Sequence, residues 1–425
     1  MYIEKVSIEN IRCIHKLELD FKDIDKAGWH VILGDNGVGK SSLLRGIVAT
    51  LLGDRLYTHL KIVPEKWLKN NTLKGIITSK VFYPPVLEPK ADYNDLNKVE
   101  QTLSFIKNDN NTNMIFSSSK VNITFKPNEV GFSAAYGPFR SFSGKHHEET
   151  EHYYAKLFAH QSCFDEDFAL TNSLEWLRTL KFRQLDKTFS TSSKKDKTLD
   201  WVIQFINNAN LLPNNTKIKE VNSSGVFFKD ALGNIISVLE MSDGYRSVLS
   251  LTLDLVYRLV YFYGADVTFK TVKNKGVSID VPGVVLIDEV DAHLHPTWQT
   301  KIGTWFTTHF PNIQFIVTTH SPLVCRSAIK GSIWELEHSE DGVIGHQITG
   351  TDYNRLVYGN VLDALGTTVF GKNIGRSESS NKMLKELAIL NMRQQQGDLS
   401  EEDQTQLNKL RQIFMTDVAD NFLND

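Results

Sequence analysis

The chain has 425 residues, 41% of them hydrophobic, enough for a substantial core and, by length, for two or three domains. A formal charge of -3 and a pI near 6.5 exclude the strongly basic class whose bulk charge alone announces a nucleic-acid partner, while leaving local basic patches open. Cys13, Cys163 and Cys325 lie far apart with no CxxC pair, which excludes a zinc or redox site built from neighbours and fits a reduced, cytoplasmic compartment.

The opening MYIEKVSIENIRC carries charges throughout and does not read as a signal peptide. No apolar run approaches the roughly 20 residues of a membrane helix, so a soluble protein without membrane association is expected. Residues 2–22 alternate through Ile3, Val6, Ile8, Ile11, Leu17, Leu19 and Phe21, which predicts two half-buried strands. Residues 30–33 form a short apolar strand that ends in a Gly-rich turn. Leu43, Leu44, Ile47, Val48 and Leu51 then recur at helical spacing over 41–52. Residues 53–135 are mixed, with the polar stretch 107–113 read as a hairpin loop between short strands such as 121–125. The stretch 150–182 reads as helical, with Trp176 and Leu177 on an apolar face. Residues 183–199 read as an exposed loop whose Lys194, Lys195 and Lys197 are solvated. Strand signals return at 225–228 and 235–238, followed by a long helix over 244–263. Residues 284–287 are apolar on both faces, as a central parallel strand should be. A helix over 296–309 and a buried strand over 313–317 complete an α/β pattern. The last 50 residues read as helices broken at Gly397, with Ser400 and Asp403 as a capping box for the final one.

Four motifs carry chemistry. Gly34-Asp35-Asn36-Gly37-Val38-Gly39-Lys40-Ser41 matches G-x-x-x-x-G-K-[ST], with a strand before it and a helix after it. Its glycines let backbone N–H groups wrap phosphates, and the helix N-terminus adds partial positive charge. Lys40 would reach the β- and γ-phosphates, the Ser41 hydroxyl would ligate Mg2+, and Ser42 adjoins the same cradle. The second motif is the apolar run that delivers Asp288 and Glu289 at the C-terminal end of a strand, where ligands bind in open α/β sheets. Two acids there are by themselves as readily a solvated turn; the phosphate loop upstream decides for Asp288 holding Mg2+ and Glu289 polarising the attacking water. Third, Thr318-Thr319-His320-Ser321-Pro322 follows the next buried strand and places His320 where it can sense a γ-phosphate by hydrogen bond. Fourth, Ser242, Asp243 and Gly244 open the long helix as a second anion site. Lys40's loop already cradles the phosphates of its own subunit, so this second site makes sense as the completion of a second copy's site.

These motifs, in this order, resemble the ABC ATPase superfamily in its SMC/RecF-like branch. Met241-Ser242-Asp243-Gly244-Tyr245 is similar to the family signature Leu-Ser-Gly-Gly-Gln, with Asp243 and Tyr245 departing from it. Asn10 and Arg12 resemble the family's first strands, and Asp291-Ala292-His293-Leu294-His295-Pro296 its D-loop. The resemblance covers 1–52 and 225–330 well and the middle poorly, where Gln161 is the candidate for the family's Mg2+-contacting glutamine. It implies an α/β fold: an ABC-type P-loop ATPase head with a β-rich N-terminal lobe, an inserted helical region and a helical C-terminal tail. The corresponding boundaries are 1–135, 136–224, 225–345 and 346–425. It also implies ATP and Mg2+ as cofactors and a nucleotide sandwich. ATP would sit between Gly34–Ser41 of one copy and Ser242–Gly244 of the other, with hydrolysis opening the pair.

About 200 residues without sustained heptads separate Ser41 from Ser242, which excludes the long coiled-coil arms of SMC proteins. The 105 residues after His320 show no Toprim pattern of acids, and His146, His147 and His152 read as a solvated loop rather than a metal site. The Tyr136-Gly137-Pro138-x-Arg140 segment and the tail 358–376 resemble the PtuA-type ATPases of Septu and retron-associated anti-phage systems, which act with an HNH nuclease. The expectation is therefore an ATPase, whose turnover can be slow if ATP serves as a gate, in a homodimer or higher homo-oligomer. It would control a separate nuclease, HNH favoured and Toprim the alternative, and would meet nucleic acid through that complex. The competing readings are a RecF-like ATPase that clamps DNA directly, marked by salt-sensitive DNA binding, and a transporter subunit. The N-terminus and the degenerate signature argue against the transporter.

Overall fold

The computed structural model describes residues 1–22, 24–53, 59–60, 62–83, 98–108, 111–119, 131–142, 155–185, 196–212, 215–370, 377–397 and 399–414. The alternation at the N-terminus forms β1 (Tyr2–Ile11) and β2 (Ile14–Asp20), antiparallel, with Val6 opposite Leu19 and Ile8 opposite Leu17. β3 (Gly28–Gly34) leads into α1 (Lys40–Leu52) and the single turn α2 (Pro64–Trp67). β4 (Lys74–Phe82), β5 (Lys98–Asn108) and β6 (Asn111–Ser118) then pair antiparallel in sequence onto β1. The stretch 53–135 thus extends the main sheet instead of forming a separate one. β7 (Ser133–Tyr136) follows, then α3 (Ala155–Gln161), α4 (Asn172–Leu185) and α5 (Thr198–Asn208). A small second sheet is built from β8 (Lys217–Asn222), β9 (Gly225–Lys229) and β10 (Ile235–Ser237). α6 (Asp243–Tyr263), α7 (Ala265–Thr268) and α8 (Lys270–Lys273) lead to β11 (Gly283–Ile287). α9 (Pro296–Gln299), α10 (Ile302–His309), β12 (Ile313–Thr318) and α11 (Pro322–Cys325) come next. β13 (Gly331–Ser339), β14 (Gly342–Gln347) and α12 (Gly350–Tyr358) close the first of two compact units, Met1–Gly359.

Eleven strands form one sheet in the order β6-β5-β4-β1-β2-β14-β13-β3-β12-β11-β7. Its β13-β3-β12-β11-β7 half is parallel, and every residue of β11 and β12 is buried. That is why these runs read as largely apolar: a parallel strand is covered on both faces. One face carries α1, whose Leu43, Leu44, Ile47 and Val48 pack with Ile32, Ile77, Leu103 and Ile316. Elsewhere Trp29, Phe306, Phe310 and Phe315 pack together at centroid distances of 5.2–6.4 Å. Fully burying such a ring is worth about 2–3 kcal/mol.

Several sequence expectations are corrected here. The helical stretch 150–182 is two helices, because the Asp165 carboxylate accepts the Asp167 N–H in a turn between α3 and α4. The helix over 296–309 is likewise α9 and α10, with Thr300 Oγ1 turned back onto the Thr297 carbonyl at the break. β8, β13 and β14 were not anticipated; in β13 the apolar Ile333, Trp334 and Leu336 are interleaved with Ser332 and Glu335. Near the expected boundary at 346, β14 runs to Gln347, and Tyr353 of α12 donates to the Ala328 carbonyl at 2.9 Å within the first unit. The strand expected over 121–125, His146, His147, His152, Lys194, Lys195 and residues 371–376 lie outside the described residues.

The second unit, Asn360–Asp425, contains α13 (Val361–Leu365), α14 (Glu378–Gln396) and α15 (Glu401–Ile413). Gly397 ends α14 with φ of 76°, which glycine adopts without steric cost. The Ser400 hydroxyl accepts the Asp403 N–H to start α15, and Leu390, Leu407 and Leu410 are buried between the two helices. No helix among the described residues is long and apolar enough to cross a membrane.

Candidate nucleotide-binding site

β3 ends in Gly34, and the chain passes through Gly37 and Gly39 with φ of 85° and 89° before α1 begins at Lys40. Side chains avoid these angles, so glycine is what lets the backbone N–H groups turn inward. A Cβ on Gly39 would sit 2.7 Å from Cys13 Sγ, so the loop is also closely backed. Val38 is buried, whereas Asp35, Asn36 and Gly37 are exposed at the loop's tip. Lys40 Nζ donates to the carbonyls of Gly34 (2.8 Å) and Asp35 (2.9 Å). Burial lowers its pKa, against the opposing fields of Glu289, Asp288, Asp35 and Asp291.

β11 and β12 supply the opposite wall through their C-terminal ends. Asp288 is buried, and its carboxylate accepts the Thr318 hydroxyl at 2.5 Å. Glu289 is half-buried with φ of 44°, and its N–H donates to Thr318 Oγ1 at 2.8 Å. Thr319 donates to Asp291 at 2.5 Å and accepts the Ser321 N–H, fixing the chain on either side of His320.

Lys40, Ser41, Ser42, Glu289 and His320 line one cleft of about 470 Å³. The cradle therefore faces both the acid-bearing strand end and the histidine, the arrangement a phosphate-cleaving site needs. Ser41, Asp288 and the amide oxygen of Gln161 are hard oxygen donors of the kind Mg2+ prefers. Asp288 and Gln161 do not line the cleft; Gln161 ends α3, and its Oε1 is buried with no hydrogen-bond partner among the described residues. Ser242, Asp243 and Gly244 are also outside the cleft lining. Ser242 and Asp243 are exposed at the start of α6, with Asp243 paired to Arg246, and a Cβ on Gly244 would meet the His293 carbonyl at 2.8 Å.

Two arginines escaped the motif reading as parts of the site. Arg12 lies at the β1–β2 turn, over the Trp67 ring at 5.2 Å; its guanidinium donates to Ser42 Oγ at 3.0 Å, and it lines the cleft. Burial, and after it the nearby Arg45, lower its pKa. Arg140 is buried beneath the acidic turn and donates to the carbonyls of Gly137 (2.9 Å), Asp288 (2.7 Å), Glu289 (3.0 Å) and Val290 (3.4 Å). Burial pushes its pKa down to about 10 against the fields of Asp288, Asp291 and Glu289. Sequence placed both residues inside resembling segments but offered no spacing rule that assigns them a role.

Comparison with known proteins gives the family. The model described as "AAA domain, putative AbiEii toxin, Type IV TA system" matches residues 30–326, more than half of the chain, from β3 through the His320 loop. A Septu protein PtuA of Bacillus mycoides (strain KBAB4) is 29% identical over 344 residues, covering 80% of this chain and 41% of that protein. The Retron Ec83 probable ATPase of Escherichia coli is 34% identical over 164 residues, 39% of this chain and 28% of that protein. The chain thus spans less than half the length of either relative. Among solved structures, the SMC head domain from Thermotoga maritima aligns with a TM-score of 0.46 and 11% identity, over 82% of this chain and 100% of that one. With its glycine cradle, its lysine and the acids that follow β11 inside the matched span, the chain belongs to this AAA-domain family.

Proposed function

We propose that the chain hydrolyses ATP at this cleft, in a head-to-head pair of copies, as the ATPase subunit of a bacterial anti-phage complex that controls a separate nuclease. The observation that carries the reading is the gathering of Lys40, Ser41, Glu289 and His320 around one cleft, while Ser242 and Asp243 stay exposed outside it. Ser41 and Asp288 would hold Mg2+, with the Gln161 amide oxygen, which has no hydrogen-bond partner among the described residues, as a further donor; when bound, the ion would supply charge neutralisation at the phosphates. Lys40 exchanges its bonds to two carbonyls for bonds to phosphate oxygens, so its charge is never left unsolvated. Glu289 takes the proton of the attacking water, and His320 hydrogen-bonds at the γ-phosphate position. Ser242, Asp243 and Gly244 close the partner copy's site. Similarity to a Septu PtuA and to a retron ATPase supports the defence setting. A nuclease of HNH type is the favoured partner and a Toprim nuclease the alternative, with nucleic acid met through that complex.

The test combines a hydrolysis assay with a tagged pull-down in the native operon context, with and without ATP. Glu289→Gln should bind ATP, turn over about 100-fold more slowly, as removal of a general base does, and accumulate as a pair in mass photometry. A variant that hydrolyses at the normal rate would refute Glu289 as the base. Recovery of a nuclease in a defined complex supports the defence reading. Recovery of the homodimer alone, holding DNA in a salt-sensitive manner, supports direct clamping instead.

A further inference from the structure

Arg140 lies just beyond β7, beneath the point where the chain leaves β11. Among the described residues, all four of its hydrogen bonds go to main-chain carbonyls, and three of those belong to the consecutive residues Asp288, Glu289 and Val290. A guanidinium is costly to bury, and among the described residues this one gains no ion pair within bonding distance. What it gains is control of one turn. Glu289, at the centre of that turn, has φ of 44°, in the left-handed region that side-chain-bearing residues rarely adopt. Its carbonyl is held by Arg140, and its N–H by Thr318 Oγ1. The flanking Asp288 N–H donates to the Tyr136 carbonyl at 2.8 Å, and the Val290 N–H to the Thr318 carbonyl at 3.0 Å. The outcome is two adjacent acids with different environments, Asp288 buried against Thr318 and Glu289 lining the cleft.

We propose that Arg140 is a positioning residue for hydrolysis: it locks the left-handed backbone of Glu289 and so presents that carboxylate to the cleft. This rests on Glu289 being the general base. Arg140 does not line the cleft, so it acts on the base and leaves nucleotide affinity alone. A fork of five N–H donors can hold three successive carbonyls at once; the three donors of a lysine ammonium on a flexible stem cannot reproduce that geometry.

The experiment uses Arg140→Lys and Arg140→Met in the full chain. It measures thermal melting, titration with a fluorescent ATP analogue and steady-state hydrolysis. A kcat lowered by about 10- to 100-fold, with KM and analogue Kd within about threefold of the parent, is expected, since a misplaced base forfeits part of the roughly 100- to 10,000-fold that a general base supplies. In the Glu289→Gln background the same substitutions should lower kcat by less than about threefold further, because both act on one step. A crystal structure of Arg140→Lys should show Glu289 out of the left-handed region. The proposal is overturned by an unchanged kcat, by analogue affinity falling in step with kcat, by a full independent loss in the Glu289→Gln background, or by failure of both variants to fold, which would make Arg140 a residue of the fold alone. Normal turnover by Glu289→Gln itself would instead strike the base reading, and that single-variant result is separable from the Arg140 data.

Discussion

At the scale of single residues, the cleft keeps the Lys40 charge occupied. The Lys40 ammonium is nearly buried, and its lowered pKa reflects that burial, yet two carbonyls of its own loop already accept from it. A phosphate can replace those acceptors without a desolvation step in between. Lys40→Ala removes a charge-assisted contact, worth roughly 1.5–3 kcal/mol, so the ATP Kd should rise by about 10- to 150-fold. Isothermal titration of the variant checks this, and an unchanged Kd would remove Lys40 from the phosphate site. The motif residues were legible because phosphate chemistry constrains spacing along the chain: two glycines, a lysine and a hydroxyl must fall on one turn between strand and helix. Arg12 and Arg140 were not legible as site residues. Their partners, Ser42 and residues 288–290, are 30 and about 150 positions away, and nothing local marks an arginine that will be buried.

At the scale of elements, the same contrast separates what composition announces from what only packing decides. Strands β11 and β12 announce themselves by apolar runs that a two-sided burial requires. β13 does not, because its polar Ser332 is buried as a hydrogen-bond hub. The Ser332 hydroxyl lies 2.9 Å from His30 Nδ1 on β3 and accepts the Trp334 indole N–H at 2.9 Å. His30 Nε2 in turn lies 3.0 Å from the Lys26 carbonyl. Burial lowers the pKa of His30 from 6.5 to about 4, so the folded protein holds it neutral. The sign follows from linkage. The folded pKa lies below the unfolded one, so this contribution is complete above pH 6.5, falls as the pH drops from 6.5 towards 4, and changes no further below that. The span corresponds to about 3 kcal/mol. Melting temperatures measured across that window should decline for the parent chain and decline less for His30→Gln. Equal slopes would mean that His30 is not a source of acid sensitivity.

At the scale of the whole molecule, the start of α6 and the cleft that contains Lys40 are separate within one chain. Ser242 caps α6 by position, but its hydroxyl makes no capping bond, and it is exposed beside Asp243, outside the cleft that contains Lys40. A helix N-terminus left open to solvent offers its N–H groups to a ligand brought by another molecule. Behind it, α6 is tied to the site through Tyr136, whose hydroxyl donates to Asp254 at 3.0 Å and whose carbonyl accepts the Asp288 N–H. The helix that Ser242 opens is thus hydrogen-bonded, at Asp254, through Tyr136 to the acidic turn of the same chain. Ser242→Arg places a bulky cation at an exposed helix start and should leave folding within about 0.5 kcal/mol of the parent, as surface substitutions usually do. It should leave the ATP affinity of the isolated subunit within about threefold, because no cleft residue changes. It should abolish ATP-dependent pairing. Combined with Glu289→Gln, which is expected to accumulate the closed pair, it should return the mass-photometry distribution to single copies in saturating ATP. Pairing that survives Ser242→Arg would mean that the two copies meet through some other surface, and that each cleft hydrolyses without its partner's help.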